Sequence, residues 1–120
     1  MSAAHFDMPA PKYKVRLEPS VFVPMRDGVR LSTDLYVPVD AGERLPVILI
    51  RTPYNKLPHR APERETWCFA GQGYVVAVQD VRGKFESEGV YRISAADRAD
   101  GYDAVEWCAT QPWSNGKVGT

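Results

Sequence analysis

The sequence is short of the residues that metal, redox and nucleic-acid chemistry need. It has two cysteines, Cys68 and Cys108, and two histidines, His5 and His59. Neither histidine has a cysteine or carboxylate at ligand spacing, so no metal site is expected. A far-spaced cysteine pair in a chain without an export signal reads as two thiols rather than a disulfide. Lysine plus arginine number 15, as do aspartate plus glutamate, so the formal net charge is zero. That leaves no basic footprint for nucleic acid or for an anionic membrane surface. The longest apolar run, Pro46 to Ile50, is far too short to span a bilayer. The opening MSAAHFDMPAPKYK lacks a charged region followed by an apolar core, so no secretory signal is read and a cytoplasmic location is expected. There is no Gly-x-x-x-x-Gly-Lys and no Gly-x-Gly-x-x-Gly; Gly71-Gln72-Gly73 precedes a strand pattern rather than a helix, the wrong context for a dinucleotide. No cofactor is expected.

What is present is ordinary for one globular domain: 120 residues, 44% hydrophobic and 25% charged. Residues 1–12 show no periodicity and read as a flexible N-terminal arm. Tyr13–Leu17 alternates, Val21–Met25 is extended, and Arg30–Val37 places Leu31, Thr33, Leu35 and Val37 on one face. Asp27-Gly28 between two such runs predicts a hairpin whose two turn residues both take positive φ. Pro46–Ile50 and Tyr74–Gln79 lack alternation, as strands buried on both faces do. Pro62–Ala70 predicts a helix, with Pro62 in its first turn and Gly71 or Gly73 ending it. Ala95–Thr110 predicts a longer one, with Gly101, Ala104, Val105 and Cys108 on one face. Gln111–Gly116 stops it, and Lys117 begins a third strand. Hairpin, strand, helix, strand, helix, strand is an α/β order: a mostly parallel sheet with helices on both faces.

Ligands in open α/β sheets bind at the carboxyl ends of strands. Tyr54 lies on the stiff Arg51–Lys56 loop at one such end. Its hydroxyl could serve a developing oxyanion, or the ring could pack on the sheet. Asp80 and Arg82 begin the loop at the next strand end and read as a carboxylate–guanidinium pair bracing a turn. Cys68 and Cys108 read as small core fillers, Trp67, Trp107 and Trp113 as packing groups, and Ser114 as a turn residue before the last strand. From the residues alone, no active site is assembled.

Four segments, in series, add a resemblance: Val23-Pro24-Met25-Arg26-Asp27-Gly28-Val29-Arg30-Leu31 with Asp34-Leu35-Tyr36; Arg51-Thr52-Pro53-Tyr54-Asn55-Lys56; Gln79-Asp80-Val81-Arg82-Gly83 with Ser87-Glu88-Gly89; and Asp100-Gly101-Tyr102-Asp103 running to Trp107, then Gln111 to Gly119. In order and spacing these resemble the N-terminal portion of the X-Pro dipeptidyl-peptidase-like, cocaine esterase-like serine hydrolases. The resemblance implies the α/β-hydrolase fold, with residues 13–120 an incomplete N-terminal part of the catalytic domain. It implies a small ester, amide or short peptide substrate cleaved through an acyl-enzyme, and leaves room for a homo-oligomer of the full-length protein. The nucleophile elbow would follow the strand begun at Lys117, so the serine, acid and histidine of the triad would all lie beyond Thr120, and the 120 residues alone would be inactive. By the same resemblance Tyr54 supplies the oxyanion hole, while Asp80 and Arg82 remain structural. The alternative is a non-enzymatic binding or scaffolding module derived from such a hydrolase.

Overall fold

The computed structural model describes residues 10–91 and 95–120. Its strands are β1 (Val15–Pro24), β2 (Arg30–Pro38), β3 (Leu45–Thr52), β4 (Val75–Asp80) and β5 (Ser114–Gly119), and its helices α1 (Glu65–Gly71) and α2 (Ala95–Thr110), with a 3₁₀ turn at Leu57–Arg60. The five strands form one sheet in the order β1-β2-β4-β3-β5. The β1–β2 and β2–β4 pairs are antiparallel, and β3 is parallel to both β4 and β5. The sheet thus joins the expected antiparallel hairpin to parallel strands, and β2 alone runs against the other four.

Alternation along the central strands distributes side chains to two cores. On one face Leu35, Val37, Leu49, Val75 and Ala77 pack with Ala104 and Cys108 of α2. On the other, Tyr36, Val76 and Val78 pack with Ala70 of α1, and Trp67 sets its ring edge-on to Tyr36 at 5.0 Å. The helices thus cover opposite faces, and all of β4 is buried. Full burial of each such valine contributes about 1.5–3 kcal/mol, which explains the absence of polar alternation in its sequence.

Local differences from the expected elements have local causes. β1 is one strand interrupted by a register shift between Glu18 and Val21, with Ser20 at φ 54°. In the hairpin only Gly28 has positive φ, at 86°. Gly28 N–H donates to the Met25 carbonyl and Met25 N–H to the Val29 carbonyl, which makes a three-residue loop ending in a glycine bulge. Asp27 keeps ordinary φ, and its side chain accepts from Val29 N–H.

Helix α1 starts at Glu65, three residues later than Pro62. Arg64 N–H donates to the Ala61 carbonyl, closing a turn over Pro62 and Glu63. Thr66 and Trp67 donate side-chain hydrogen bonds to the His59 and Arg60 carbonyls, seating the helix on the 3₁₀ turn. Ser114 opens β5 rather than preceding it, although its Oγ still accepts from Gly116 N–H.

Residues 1–9 of the expected arm lie outside the described residues, as does His5. Its last three residues are tied to the end of α1: Lys12 N–H donates to the Gly71 carbonyl, and Gln72 Nε2 to the Ala10 carbonyl. Among the described residues no helix is long and apolar enough to cross a membrane.

Candidate active site

Strands β3 and β4 end side by side, with Thr52 opposite Asp80 in parallel register. Val81 N–H still donates to the Thr52 carbonyl. The loops that follow therefore leave the same end of the sheet as neighbours, and β5 runs parallel on the other side of β3.

The first loop carries Tyr54 outward. Its side chain is 84% exposed, so the ring does not pack on the sheet. Its position comes from backbone contacts. Tyr54 N–H donates to Thr52 Oγ1 at 3.0 Å, Asn55 sits at φ 91°, and Asn55 Oδ1 accepts from Leu57 N–H at 3.0 Å.

Two residues after Tyr54 the chain turns fully inward. Lys56 is completely buried, its backbone N–H donating to Asp80 Oδ1 at 2.9 Å. Its Nζ donates to Glu86 at 2.6 Å and lies 3.5 Å from Asp34 and 3.8 Å from Asp80. Asp34, also buried, accepts two hydrogen bonds from Arg60, at 2.7 and 2.9 Å, and one from Ser20 N–H. Glu86 accepts from the Ser20 and Ser32 hydroxyls as well as from Lys56, and the Lys56 bond leads in holding its carboxyl down to about 2. Asp80 behaves oppositely. Burial pushes its carboxyl up, and its Oδ2 accepts no hydrogen bond from any described residue.

Arg82 belongs to a different cluster. It donates to both oxygens of Asp100 on α2, at 2.7 and 2.8 Å, and reaches Asp27 of the hairpin at 2.9 Å. Asp80 and Arg82 are thus not partners. Asp80 closes β4 facing Lys56, whereas Arg82, past the strand end, clamps the hairpin to α2. Gly83 at φ 73° follows, where a Cβ would run into the backbone of Val90 and Tyr91; only glycine lets the loop pass so closely.

The other expected groups have quieter surroundings. Cys108 is a core residue whose thiol burial pushes up to about 12. Cys68 is only half-buried, so it is not the core filler expected of it; both thiols are free. His59 is partly buried, and that burial lowers its pKa. Trp107 and Trp113 meet edge-to-face at 6.0 Å.

Sequence reasoning missed Lys56, Asp34, Glu86 and Arg60 as a group, and Asp100 as the partner of Arg82. One available signal was Asp34, a carboxylate in the middle of a strand otherwise patterned for burial. Another was Lys56 so close behind the buried run of β3.

Chemically, the end of β3 offers an exposed phenol donor, Tyr54, on a loop tied through Lys56 to buried charge. The model of the X-Pro dipeptidyl-peptidase (S15) family matches residues 27–120. Cocaine esterase from Rhodococcus sp. (strain MB1 Bresler) is 46% identical over 103 residues, 83% of this chain and 18% of that protein. A CocE/NonD family hydrolase structure from Staphylococcus aureus superposes with a TM-score of 0.76 at 27% identity, over 87% of this chain and 22% of that one. An α-amino acid ester hydrolase structure does so at 0.69 and 29%, over 98% and 22%. The chain spans about a fifth of the length of these relatives.

Proposed function

The chain belongs to the X-Pro dipeptidyl-peptidase (S15) family and has the architecture of the α/β hydrolases, and we propose that residues 13–120 form the N-terminal part of the catalytic domain of a serine hydrolase. The enzyme cleaves small carboxylic esters, or amide bonds after proline in short peptides, through an acyl-enzyme. In this reading Tyr54 donates its hydroxyl to the oxyanion that forms when the nucleophile attacks the carbonyl. Such a donor acts chiefly in the transition state, because the negative charge on oxygen develops there. Asp80 and Arg82 are structural, holding the two loops beneath and beside it.

The observation that carries the reading is the placement of Tyr54. It projects, 84% exposed, from the carboxyl end of β3, and β3 pairs in parallel with β5 through Val47–Val118 and Ile48–Gly119. A segment leaving β5 heads toward the same end of the sheet as the Tyr54 loop, because the two strands are parallel. A nucleophile elbow there would hold a serine within reach of a carbonyl that Tyr54 also touches. No serine of these 120 residues stands in a Gly-x-Ser-x-Gly context, and Ser114 Oγ is engaged by Gly116 N–H. By the family resemblance, this reading assigns the nucleophile, acid and histidine to the protein beyond Thr120.

Fluorophosphonate labelling of the full-length protein tests this. One serine C-terminal to β5 should be labelled, with hydrolysis of a p-nitrophenyl ester abolished in parallel. A label on a serine within residues 1–120, or ester turnover that resists the reagent, refutes the assignment.

A further inference from the structure

The buried charge under the Tyr54 loop calls for an explanation beyond stability. Removing a lysine ammonium from water is costly, and a buried ion pair is often no more stable than an apolar replacement of the same volume. Yet Lys56 is wholly buried, with three carboxylates at 2.6, 3.5 and 3.8 Å from Nζ. Apolar neighbours would fill the same space without dictating where the chain must lie. An ammonium among carboxylates from β2, β4 and the loop after β4 does dictate it, because displacement leaves buried charges unpaired.

The residue that profits is two positions away. Tyr54 has an unpacked ring, so nothing on the side chain itself locates the hydroxyl. Its direction is inherited from the backbone between Thr52 and Lys56. Asn55 holds a left-handed φ of 91°, which asparagine tolerates, and its own Oδ1 accepts from Leu57 N–H. On the far side of Asn55, Lys56 is held twice, by its N–H on Asp80 and its Nζ on Glu86.

We propose that Lys56 is the positioning residue for Tyr54: its buried ammonium, held by Glu86, Asp34 and Asp80, fixes the loop so that the phenol stands ready where the oxyanion forms. This rests on the reading of Tyr54 as the oxyanion donor. It predicts a kinetic pattern that a merely structural ion cluster does not. A misplaced donor loses transition-state stabilisation, so kcat falls while KM holds. The loss also disappears when the tyrosine hydroxyl is already gone.

The test is a double-mutant cycle on the full-length enzyme with a p-nitrophenyl ester, using Lys56→Met, Tyr54→Phe and the pair. Lys56→Met should lower kcat by about ten- to a hundredfold, with KM changed by less than about threefold and the phenol still present. In the Tyr54→Phe background the same change should cost less than about threefold, so that the two effects do not add. Should Lys56→Met fail to fold, Glu86→Ala replaces it; Glu86 is half exposed, and its loss frees Nζ from its shortest bond while leaving Asp34 and Asp80 in place. The same split and the same loss of effect in Tyr54→Phe are then expected. Full additivity, or unchanged kcat in a folded variant, overturns the positioning role while leaving the oxyanion role standing. A Tyr54→Phe enzyme with wild-type kcat overturns both.

Discussion

Replacing Tyr54 by phenylalanine removes one oxygen atom from a ring that makes no packing contact of consequence, since the side chain is 84% exposed. The bond from its own N–H to Thr52 Oγ1 is untouched. No buried group is left unsatisfied, so stability should stay within about 0.5 kcal/mol of wild type, read as an unchanged Tm. The catalytic effect should be far larger. Deleting one oxyanion donor costs on the order of a hundred- to a thousandfold in turnover, roughly 2.7–4 kcal/mol of transition-state stabilisation. The assay is steady-state hydrolysis of a p-nitrophenyl ester by the full-length enzyme, with kcat and KM determined separately. The loss should fall on kcat, because the ground-state carbonyl oxygen carries little charge to be stabilised. If the variant keeps more than about a third of wild-type kcat, the lost interaction is worth less than about 0.7 kcal/mol. Tyr54 is then an exposed loop residue and the assignment fails.

Two further outcomes follow from the ion clusters. Arg82→Met should destabilise by about 3–5 kcal/mol, because it strands the carboxylate of Asp100, buried on α2 and held by two of the arginine's hydrogen bonds. Arg82→Lys should recover only part of the lost Tm, since an ammonium cannot bridge Asp100 and Asp27 together; full recovery would show that the fork geometry is irrelevant. Glu86, held to about 2 by Lys56 against 4.5 in the unfolded chain, contributes stability that is complete above 4.5 and lost as pH falls toward 2. The stability gap between wild type and Glu86→Gln should therefore narrow through that window in acid-unfolding measurements; a gap independent of pH would show that the Lys56 pair does not hold the charge.

The parts of the fold legible in the chain are those set by near neighbours. Helix α2 spans the stretch from Ala95 to Thr110 in which Gly101, Ala104, Val105 and Cys108 recur at helical spacing, because a helix face depends on residues three and four apart. The continuous apolar runs marked β3 and β4 as strands with helices on both faces; β4 is buried throughout, whereas β3 is buried on the α2 face and only half covered at Ile48 and Ile50 on the other. Asp27-Gly28 located the hairpin, although only Gly28 needed the left-handed backbone. The family, too, was legible in four short motifs, and the comparisons bear it out.

Tertiary structure decided which charges meet. Asp80 and Arg82 are near neighbours in the chain and looked paired. Yet Asp80 faces Lys56 from the end of a buried strand, while Arg82 lies past that end and turns to Asp100 and Asp27. Asp34, Lys56 and the Asp80–Glu86 stretch lie far apart in the chain. They converge because β2 and β3 both flank β4, an order that no local pattern encodes. Periodicity reports what a segment buries. The partner of a buried charge is chosen by the strand that arrives beside it, and that depends on the whole sheet closing around a core neither segment contains alone.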